Sequence, residues 1–286
     1  MDTEKKLRSA PLLLGVMGDP IAHSKSPVMH EAALRTLSLQ GSYVPLHVKR
    51  ERLAQAVEGI RAMGFRGVNV TVPHKVEVMS LLDDIDDGAR RIGAVNTIVN
   101  QDGHLTGYNT DGIGYVRSLK EEVVSDLKGK TVVVLGAGGA ARGIIYALLQ
   151  EAPGQIVIAN RTADKAVDLA REWSGLGNLS GCAVADVRQA VSRADVLINT
   201  TSVGMHPDIH STPLESSWIP EGIVVSDLIY NPLETELLRQ AKERGCRIHG
   251  GLGMFINQGA YAFEYWTGMS APAEVMREAV LHSLQN

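Results

Sequence analysis

The chain is 286 residues long, which at about 150 residues per domain suggests two domains, each large enough to bury a core. Its 28 Lys and Arg against 32 Asp and Glu leave a formal charge of −4, with only three Phe, three Trp and seven Tyr, so it lacks the basic surplus and the stacking aromatics of a nucleic-acid binder. Glycine is the unusual residue: 29 copies, about a tenth of the chain where ~7% is usual, set within apolar stretches rather than Ser/Pro tracts.

In chain order, Leu12–Met17 (LLLGVM) reads as a short buried strand. The loop Gly18–Ser26 follows, and Pro27 opens an amphipathic helix to Ser38 with Ser26 as N-cap and proline at the first helical position. Ser42–Val48 alternates as a second strand, and Leu53–Met63 has helical periodicity with Leu53, Val57 and Ile60 on one face. Gly67–Val72 (GVNVTV) is β-branched and alternating, a third strand. Thr97–Asn100 and His104–Gly107, separated by Gln101-Asp102-Gly103, read as a hairpin with an Asp-Gly turn. This α/β first half closes near Gly112–Gly114.

The second half begins after the polar stretch Lys120–Lys130. Thr131–Leu135 (TVVVL) is continuously apolar, as expected of a parallel strand covered on both faces. Helix Ala140–Gln150, strand Gln155–Ala159 and helix Ala163–Trp173 follow. Ala183–Ala185 is a further short strand, and Asp195–Asn199, Ile223–Asp227 and Arg247–His249 are the later ones. This alternation predicts a doubly wound parallel sheet. The tail from Met254 to Leu284 reads as helical, with no strand.

Gly136-Ala137-Gly138-Gly139-Ala140-Ala141 fits G-x-G-x-x-[GA] where a strand ends and a helix starts. The first glycine permits the tight turn, the second lets backbone approach a pyrophosphate, and the helix N-terminus offers unpaired N–H groups to that anion. The end of the next strand selects the dinucleotide. An NAD site places Asp or Glu there for the ribose 2′-OH, whereas this chain has Asn160-Arg161-Thr162 and then Lys165. Without a carboxylate and with a guanidinium, the site suits the 2′-phosphate of NADP.

Four motifs of the first half occur in order: Gly18-Asp19-Pro20-Ile21-Ala22-His23-Ser24-Lys25-Ser26-Pro27, Asn69-Val70-Thr71-Val72-Pro73-His74-Lys75, Gly93-Ala94-Val95-Asn96-Thr97 and Gly107-Tyr108-Asn109-Thr110-Asp111-Gly112. Asn199-Thr200-Thr201-Ser202-Val203-Gly204-Met205, Asp227-Leu228-Ile229-Tyr230-Asn231-Pro232 and the stretch Gly251–Ala260 (GLGMFINQGA) follow them. Together they closely resemble the shikimate dehydrogenase family over residues 12–284. The resemblance implies NADP-dependent reduction of 3-dehydroshikimate to shikimate, in aromatic amino-acid biosynthesis, by an oxidoreductase acting on a CH–OH group. It also implies a substrate-binding α/β domain over 1–113, a Rossmann-type doubly wound NADP domain over 114–250, and C-terminal helices over 251–286 that return to the first domain.

Carried onto matching positions, the family's catalytic pair is Lys75 and Asp111. An ammonium can give the alkoxide its proton, while the carboxylate orients it and binds a substrate hydroxyl. Ser24 and Ser26, at a helix N-terminus, suit the substrate carboxylate. Thr71, Asn96 and Gln258 match partners of ring hydroxyls, and Tyr230 a further substrate contact. The cofactor set comprises Gly136, Ala137, Gly138, Gly139, Ala140, Asn160, Arg161, Thr162 and Lys165, with Leu228 and Gly251 beside the nicotinamide. Asp87 falls where some relatives carry a Glu near the nucleotide.

Other features read plainly. Cys182 and Cys246 form no C-x-x-C, so two buried structural thiols are expected and no disulfide framework or zinc site. His206 and His210 lie in a loop with Pro207, outside any H-E-x-x-H, and no metal is expected. Asp83, Asp84, Asp86 and Asp87 read as a solvated acidic face. The first ten residues lack an apolar core, so no secretory signal is expected, and no apolar run spans a bilayer. The expected protein is cytoplasmic, a monomer or homodimer acting on a small molecule, without nucleic-acid or membrane partners. Two other readings are an NAD-preferring quinate/shikimate dehydrogenase, against which Asn160-Arg161 counts, and a non-catalytic NADPH and small-acid sensor, for which Lys75 and Asp111 would be superfluous.

Overall fold

A computed structural model describes residues 11–285; the ten leading residues, on which the expectation of no secretory signal rests, lie outside the described part. The chain divides into two units, one holding the residues up to Thr110 together with those from Ile256 onward, the other Asp111–Phe255.

In the first unit the strands are β1 (Leu12–Gly18), β2 (Gly41–His47), β3 (Gly67–Val70), β4 (Asp84–Ile85), β5 (Thr97–Gln101) and β6 (His104–Tyr108). They form one sheet in the order β2-β1-β3-β5-β6-β4. The first three are parallel, and β5 runs antiparallel to both β3 and β6. The β5–β6 hairpin turns on Asp102 and Gly103, both at positive φ, as an Asp-Gly turn requires. Helices α1 (Ser26–Thr36), α2 (Leu53–Ala62) and α3 (Asp87–Ile92) complete the part before Thr110. Helix α2 buries Leu53, Val57 and Ile60, the face its periodicity predicts, against Val68, Val70, Ile98 and Leu105.

The second unit contains α4 (Asp111–Glu122), β7 (Thr131–Leu135), α5 (Gly139–Leu149), β8 (Gln155–Asn160), α6 (Ala163–Glu172), β9 (Leu179–Ala183), α7 (Arg188–Val191), β10 (Val196–Asn199), β11 (Val224–Asp227), α8 (Glu236–Glu243) and β12 (Arg247–His249). Its sheet has the order β12-β11-β10-β7-β8-β9, and every pair is parallel. Val132 and Val134 enter a core beneath α4, α5 and α6, while Val133 and Leu135 enter a second core beneath α8. Burial on both faces is why the run TVVVL shows no alternation. The strand order reverses at β7, which leaves a crevice at the carboxyl ends of β7 and β10.

The tail is α9 (Leu252–Thr267) and α10 (Ala273–Gln285), interrupted at Gly268 with φ +67° and at Pro272. Phe263 and Trp266 of α9 are fully buried in the first unit with His30 of α1 and Tyr43 of β2. The His30 and Tyr43 rings stack 4.4 Å apart, and Trp266 Nε1 donates to the Ile98 carbonyl at 2.9 Å. Gly67 lies under the Trp266 ring, where a Cβ would overlap the indole.

Several expectations are corrected. The helix begins at Ser26 with Lys25 as N-cap and no side-chain cap, so Ser26 is its first residue rather than its cap. The third strand stops at Val70: the Thr71 N–H still completes the pairing with Met17, but the Thr71 carbonyl accepts the His74 N–H in a turn and Val72 is exposed. The strand placed at Ala183–Ala185 is instead Leu179–Ala183, followed by a 3-10 turn. The acidic run is an exposed face as expected, Asp83, Asp84, Asp86 and Asp87 all being exposed, and within it Asp83 also pairs with Arg61 and accepts the Leu105 N–H while Asp86 caps α3. Cys246 is buried, but Cys182 is only half-buried.

Neither ring nitrogen of fully buried His30 has a hydrogen-bond partner, and desolvation pushes its pKa down to about 3. An unfolded-chain histidine titrates near 6.5, so below that pH the unfolded state binds the extra proton. The stability from neutral His30 is therefore complete above about pH 6.5 and is lost toward about pH 3, at ~1.4 kcal/mol per pH unit. Between about pH 7 and pH 4.5, denaturant unfolding should show the wild type losing about 2.5 kcal/mol more than His30→Phe; equal losses would contradict this.

Candidate active site

The site in the first unit follows from its sheet. Strands β1 and β3 are parallel, so the loops after Gly18 and Val70 leave the same edge. Strand β5 runs the other way, so its beginning lies at that edge: Asn69 is registered with Thr97, and Thr97 with Tyr108 at the end of β6. Ser24, Ser26, Thr71, Lys75 and Asn96 all emerge there. Gln258 lies in the same unit on α9, next to Gly259, where a Cβ would meet Met29 and His30 of α1.

Backbone hydrogen bonds shape the loop that carries Lys75. The Thr71 carbonyl accepts the His74 N–H at 3.0 Å, and the Lys75 carbonyl accepts the Val95 N–H at 2.8 Å. His74 is fully buried, with Nε2 2.6 Å from the Val48 carbonyl. It anchors the loop while Lys75 beside it stays half-buried. Gly18 leaves room for the Thr71 methyl, which a Cβ would meet at 2.5 Å.

Asn96 is the centre of a buried polar cluster. Its Oδ1 accepts the Thr110 N–H at 2.8 Å and the Thr97 hydroxyl at 3.0 Å, and its Nδ2 donates to Thr110 Oγ1 at 3.0 Å. Its backbone N–H goes to the Tyr108 carbonyl and its carbonyl accepts the Val70 N–H. Asn96 thus holds the backbone of Thr110, where the first stretch of this unit ends.

At the start of α1, Ser26 is buried and Ser24 half-buried. Ser24 Oγ accepts the Ser26 N–H at 3.3 Å, so this hydroxyl also serves an unpaired N–H of the helix, a role the sequence did not suggest. Lys25 turns away, its Nζ donating to the Ser283 carbonyl and hydroxyl at 2.7 and 2.8 Å.

In the second unit Asp111 is the first residue of α4 and is buried; a carboxylate at a helix N-terminus is favoured by the helix dipole. Helix α4, which sequence patterning did not reveal, is held in rotation by polar contacts. Tyr115 Oη donates to Ser226 Oγ at 2.9 Å, and the His249 ring bridges Ser226 Oγ and Ser118 Oγ at 2.9 and 2.8 Å. The sequence singled out neither Ser226 nor His249.

The glycine loop lies at the end of β7. Gly136 has φ +110°, donates its N–H to the Ala159 carbonyl at 2.8 Å, and would bring a Cβ within 2.5 Å of Thr200 Oγ1. Ala137 is half-buried, while Gly138 and Gly139 are exposed, with no atom within 4 Å of where a Cβ would stand. Gly138 caps α5 without a side-chain bond, so the first N–H groups of α5, from Gly139 and Ala140 on, line an open, glycine-walled cradle fit for a pyrophosphate. At the end of β8, Asn160 Nδ2 donates to the Thr162 carbonyl at 2.9 Å. Arg161, Thr162 and Lys165 are exposed, and neither cation forms an ion pair among the described residues. Such a pair of cations beside a neutral amide fits a phosphate.

Beyond β11, buried Asp227 accepts from Asn199 Nδ2, the Ile229 N–H and the Thr235 hydroxyl at 3.1, 3.1 and 2.8 Å, while burial raises its pKa. This fixes the turn through Leu228, whose N–H goes to the Asn199 carbonyl. A Cβ on Gly251 would overlap the Leu228 carbonyl, so only glycine allows this contact. Tyr230 stacks on Phe255 at 4.4 Å, and burial raises its hydroxyl pKa. Asp87 is exposed in the first turn of α3.

Three family models match the chain: shikimate dehydrogenase substrate binding domain over residues 16–98, shikimate/quinate 5-dehydrogenase over 118–221, and shikimate 5'-dehydrogenase C-terminal domain over 251–281. The chain is 47% identical over 271 residues to a shikimate dehydrogenase (NADP(+)) of Geobacillus kaustophilus, covering 95% of this chain and 98% of that protein. A crystal structure of a shikimate dehydrogenase in complex with NADP+ is 42% identical, with TM-score 0.90 over 96% of each chain. The Thermus thermophilus shikimate 5-dehydrogenase in complex with NADP(H) and shikimate is 38% identical, with TM-score 0.87 over 95% of this chain and 99% of that one.

Proposed function

The chain belongs to the shikimate dehydrogenase family, and from that premise we propose that it catalyses the NADPH-dependent, reversible reduction of 3-dehydroshikimate to shikimate in aromatic amino-acid biosynthesis. The observation that carries this reading is the shared sheet edge from which Ser24, Ser26, Thr71, Lys75 and Asn96 emerge.

The hydroxyls of Ser24 and Ser26 and the first N–H groups of α1 bind the substrate carboxylate. Thr71, Asn96 and Gln258 bind ring hydroxyls, and Tyr230 adds a further contact. Groups of this kind reject analogues that leave them unpaired in a dry site. Asp111 accepts a hydrogen bond from a substrate hydroxyl and holds the ring at the reacting carbon.

NADPH, when bound, supplies the hydride. The pyrophosphate would rest on the backbone of Gly136–Ala140 at the N-terminus of α5. Asn160, Arg161, Thr162 and Lys165 would take the 2′-phosphate, and Leu228 and Gly251 would border the nicotinamide. Conversion of the ketone to an alkoxide leaves an oxygen that must gain a proton and be stabilised meanwhile. Lys75 Nζ provides both the positive charge and the proton, becoming a neutral amine, and in the oxidation direction that amine takes the proton back. Its backbone is fixed through Val95, beside Asn96, so the proton donor is positioned by the residue next to a substrate-binding amide. We place the reaction in the cytoplasm, where a reducing environment suits the unpaired thiols Cys182 and Cys246.

Lys75→Ala should lower kcat at least ~100-fold while KM for shikimate changes only a few-fold, as loss of a proton donor requires; near-wild-type turnover in a steady-state assay would refute the role. Arg161→Ala should raise KM for NADP about tenfold or more and leave that for NAD within about twofold. Equal losses with both nucleotides would remove the 2′-phosphate contact.

A further inference from the structure

A buried line of hydrogen bonds in the second unit runs along the helix that opens with Asp111. Asp111, Tyr115, Ser118 and Glu122 follow one another at intervals of four, three and four residues, so they share one face of α4. Tyr115 Oη is 2.9 Å from Ser226 Oγ on β11, and Ser226 Oγ is 2.9 Å from Nδ1 of His249 on β12. His249 Nε2 lies 2.8 Å from Ser118 Oγ, which lies 3.2 Å from Glu122 Oε1. Tyr115, Ser118 and Ser226 are fully buried, and His249 is 1% exposed.

The carboxylate at one end sets the sense of the whole line. An ionised carboxylate only accepts, so Ser118 gives Glu122 its single proton and must itself accept from His249. Nε2 therefore carries a hydrogen, and the other Glu122 oxygen stands 3.7 Å from it. In a neutral ring Nδ1 is then bare; it accepts the Ser226 hydroxyl and leaves Ser226 to accept from Tyr115. His249 is thus bonded on both sides, to β11 and to α4, and its ring meets the Tyr115 ring edge-on at 5.8 Å. Two glycines close the packing around the same helix. A Cβ on Gly112 would overlap the Gly143 carbonyl of α5, and one on Gly253 would overlap Ser118 Oγ and Glu122 Oε1.

We propose that His249 is a positioning residue for the reaction: by bridging Ser226 and Ser118 it sets the rotation of α4, and with it the direction in which Asp111, on the same helical face, presents its carboxylate. The proposal rests on the assignment of Asp111 to a substrate hydroxyl. Side chains reach about 5–6 Å from a helix axis, so ~10° of rotation displaces a carboxylate by about 1 Å. A displacement of that size can cost up to about 100-fold in rate. The proposal accounts for the polar side chains on the buried face of α4 and for glycine at position 253.

The test is steady-state kinetics of the full-length enzyme with shikimate and NADP for Ser118→Ala and His249→Leu, each alone and combined with Asp111→Asn. Each single substitution should lower kcat/KM for shikimate about tenfold, which corresponds to about 1.4 kcal/mol, with KM for NADP within about twofold. Added to Asp111→Asn, each should cost less than about twofold more, because the carboxylate it positions is already gone. A merely structural role would lower the unfolding temperature and exact the same tenfold cost in both backgrounds, which overturns the proposal. Unchanged kcat/KM for shikimate in both single variants, with Asp111→Asn impaired, overturns it too and leaves the function intact. Unchanged kcat/KM in Asp111→Asn overturns the assignment on which the proposal stands. Should His249→Leu not fold, Ser118→Ala, which removes one oxygen, decides by the same comparison.

Discussion

Asn96 is the residue through which the sheet of the first unit imposes its geometry on the site. Its main chain joins β3 to the end of β6, and its side chain holds the N–H of Thr110, immediately before Asp111. A buried amide of this kind is stable only with its polar atoms paired, because an unpaired one costs roughly 1–3 kcal/mol. The pairing therefore leaves Thr97, Thr110 and Asn69 little choice of position. The Lys75 loop is tied to the same point through Val95, so that loop, the Asn96 amide and the backbone of Thr110 share one fixed reference.

The second unit solves a different problem with glycine. Parallel strands end at backbone groups that only loops or ligands can satisfy. At the strand-order reversal the loop must turn sharply and leave helix N–H groups uncovered. Gly136 makes that turn at positive φ, and Gly138 and Gly139 keep the helix end bare. Gly251 allows backbone to lie against the Leu228 carbonyl. The glycine surplus is thus in part a record of where backbone must approach backbone or an anion.

What the sequence revealed followed physical simplicity. The run TVVVL, the Asp-Gly hairpin and the face Leu53–Val57–Ile60 each obey one local rule, and each is present in the structure. The glycine loop could be placed because a strand and a helix flank it. Helix α4 escaped notice because its buried side carries Gly112, Gly114 and Ser118 as well as Tyr115 and Leu119. Its interior includes polar hydrogen bonds and a close approach of Gly112 to Gly143, which no hydrophobic period registers. Strand β9 (LSGCA) has little β-branched character and exists by pairing with β8. The partnership of Tyr115, Ser226, His249 and Ser118 was invisible for a further reason: it joins one helix to two strands whose order only the folded sheet defines.

The central claim is that this arrangement recognises shikimate and a 2′-phosphorylated nucleotide together. The most direct measurement is the initial rate of oxidation of shikimate and of quinate, each with NADP and with NAD, on one enzyme preparation. The account predicts that kcat/KM for shikimate with NADP exceeds each of the other three combinations by at least ~100-fold, as unpaired buried groups and a lost phosphate contact would require. Comparable rates with NAD, or with quinate, would contradict it.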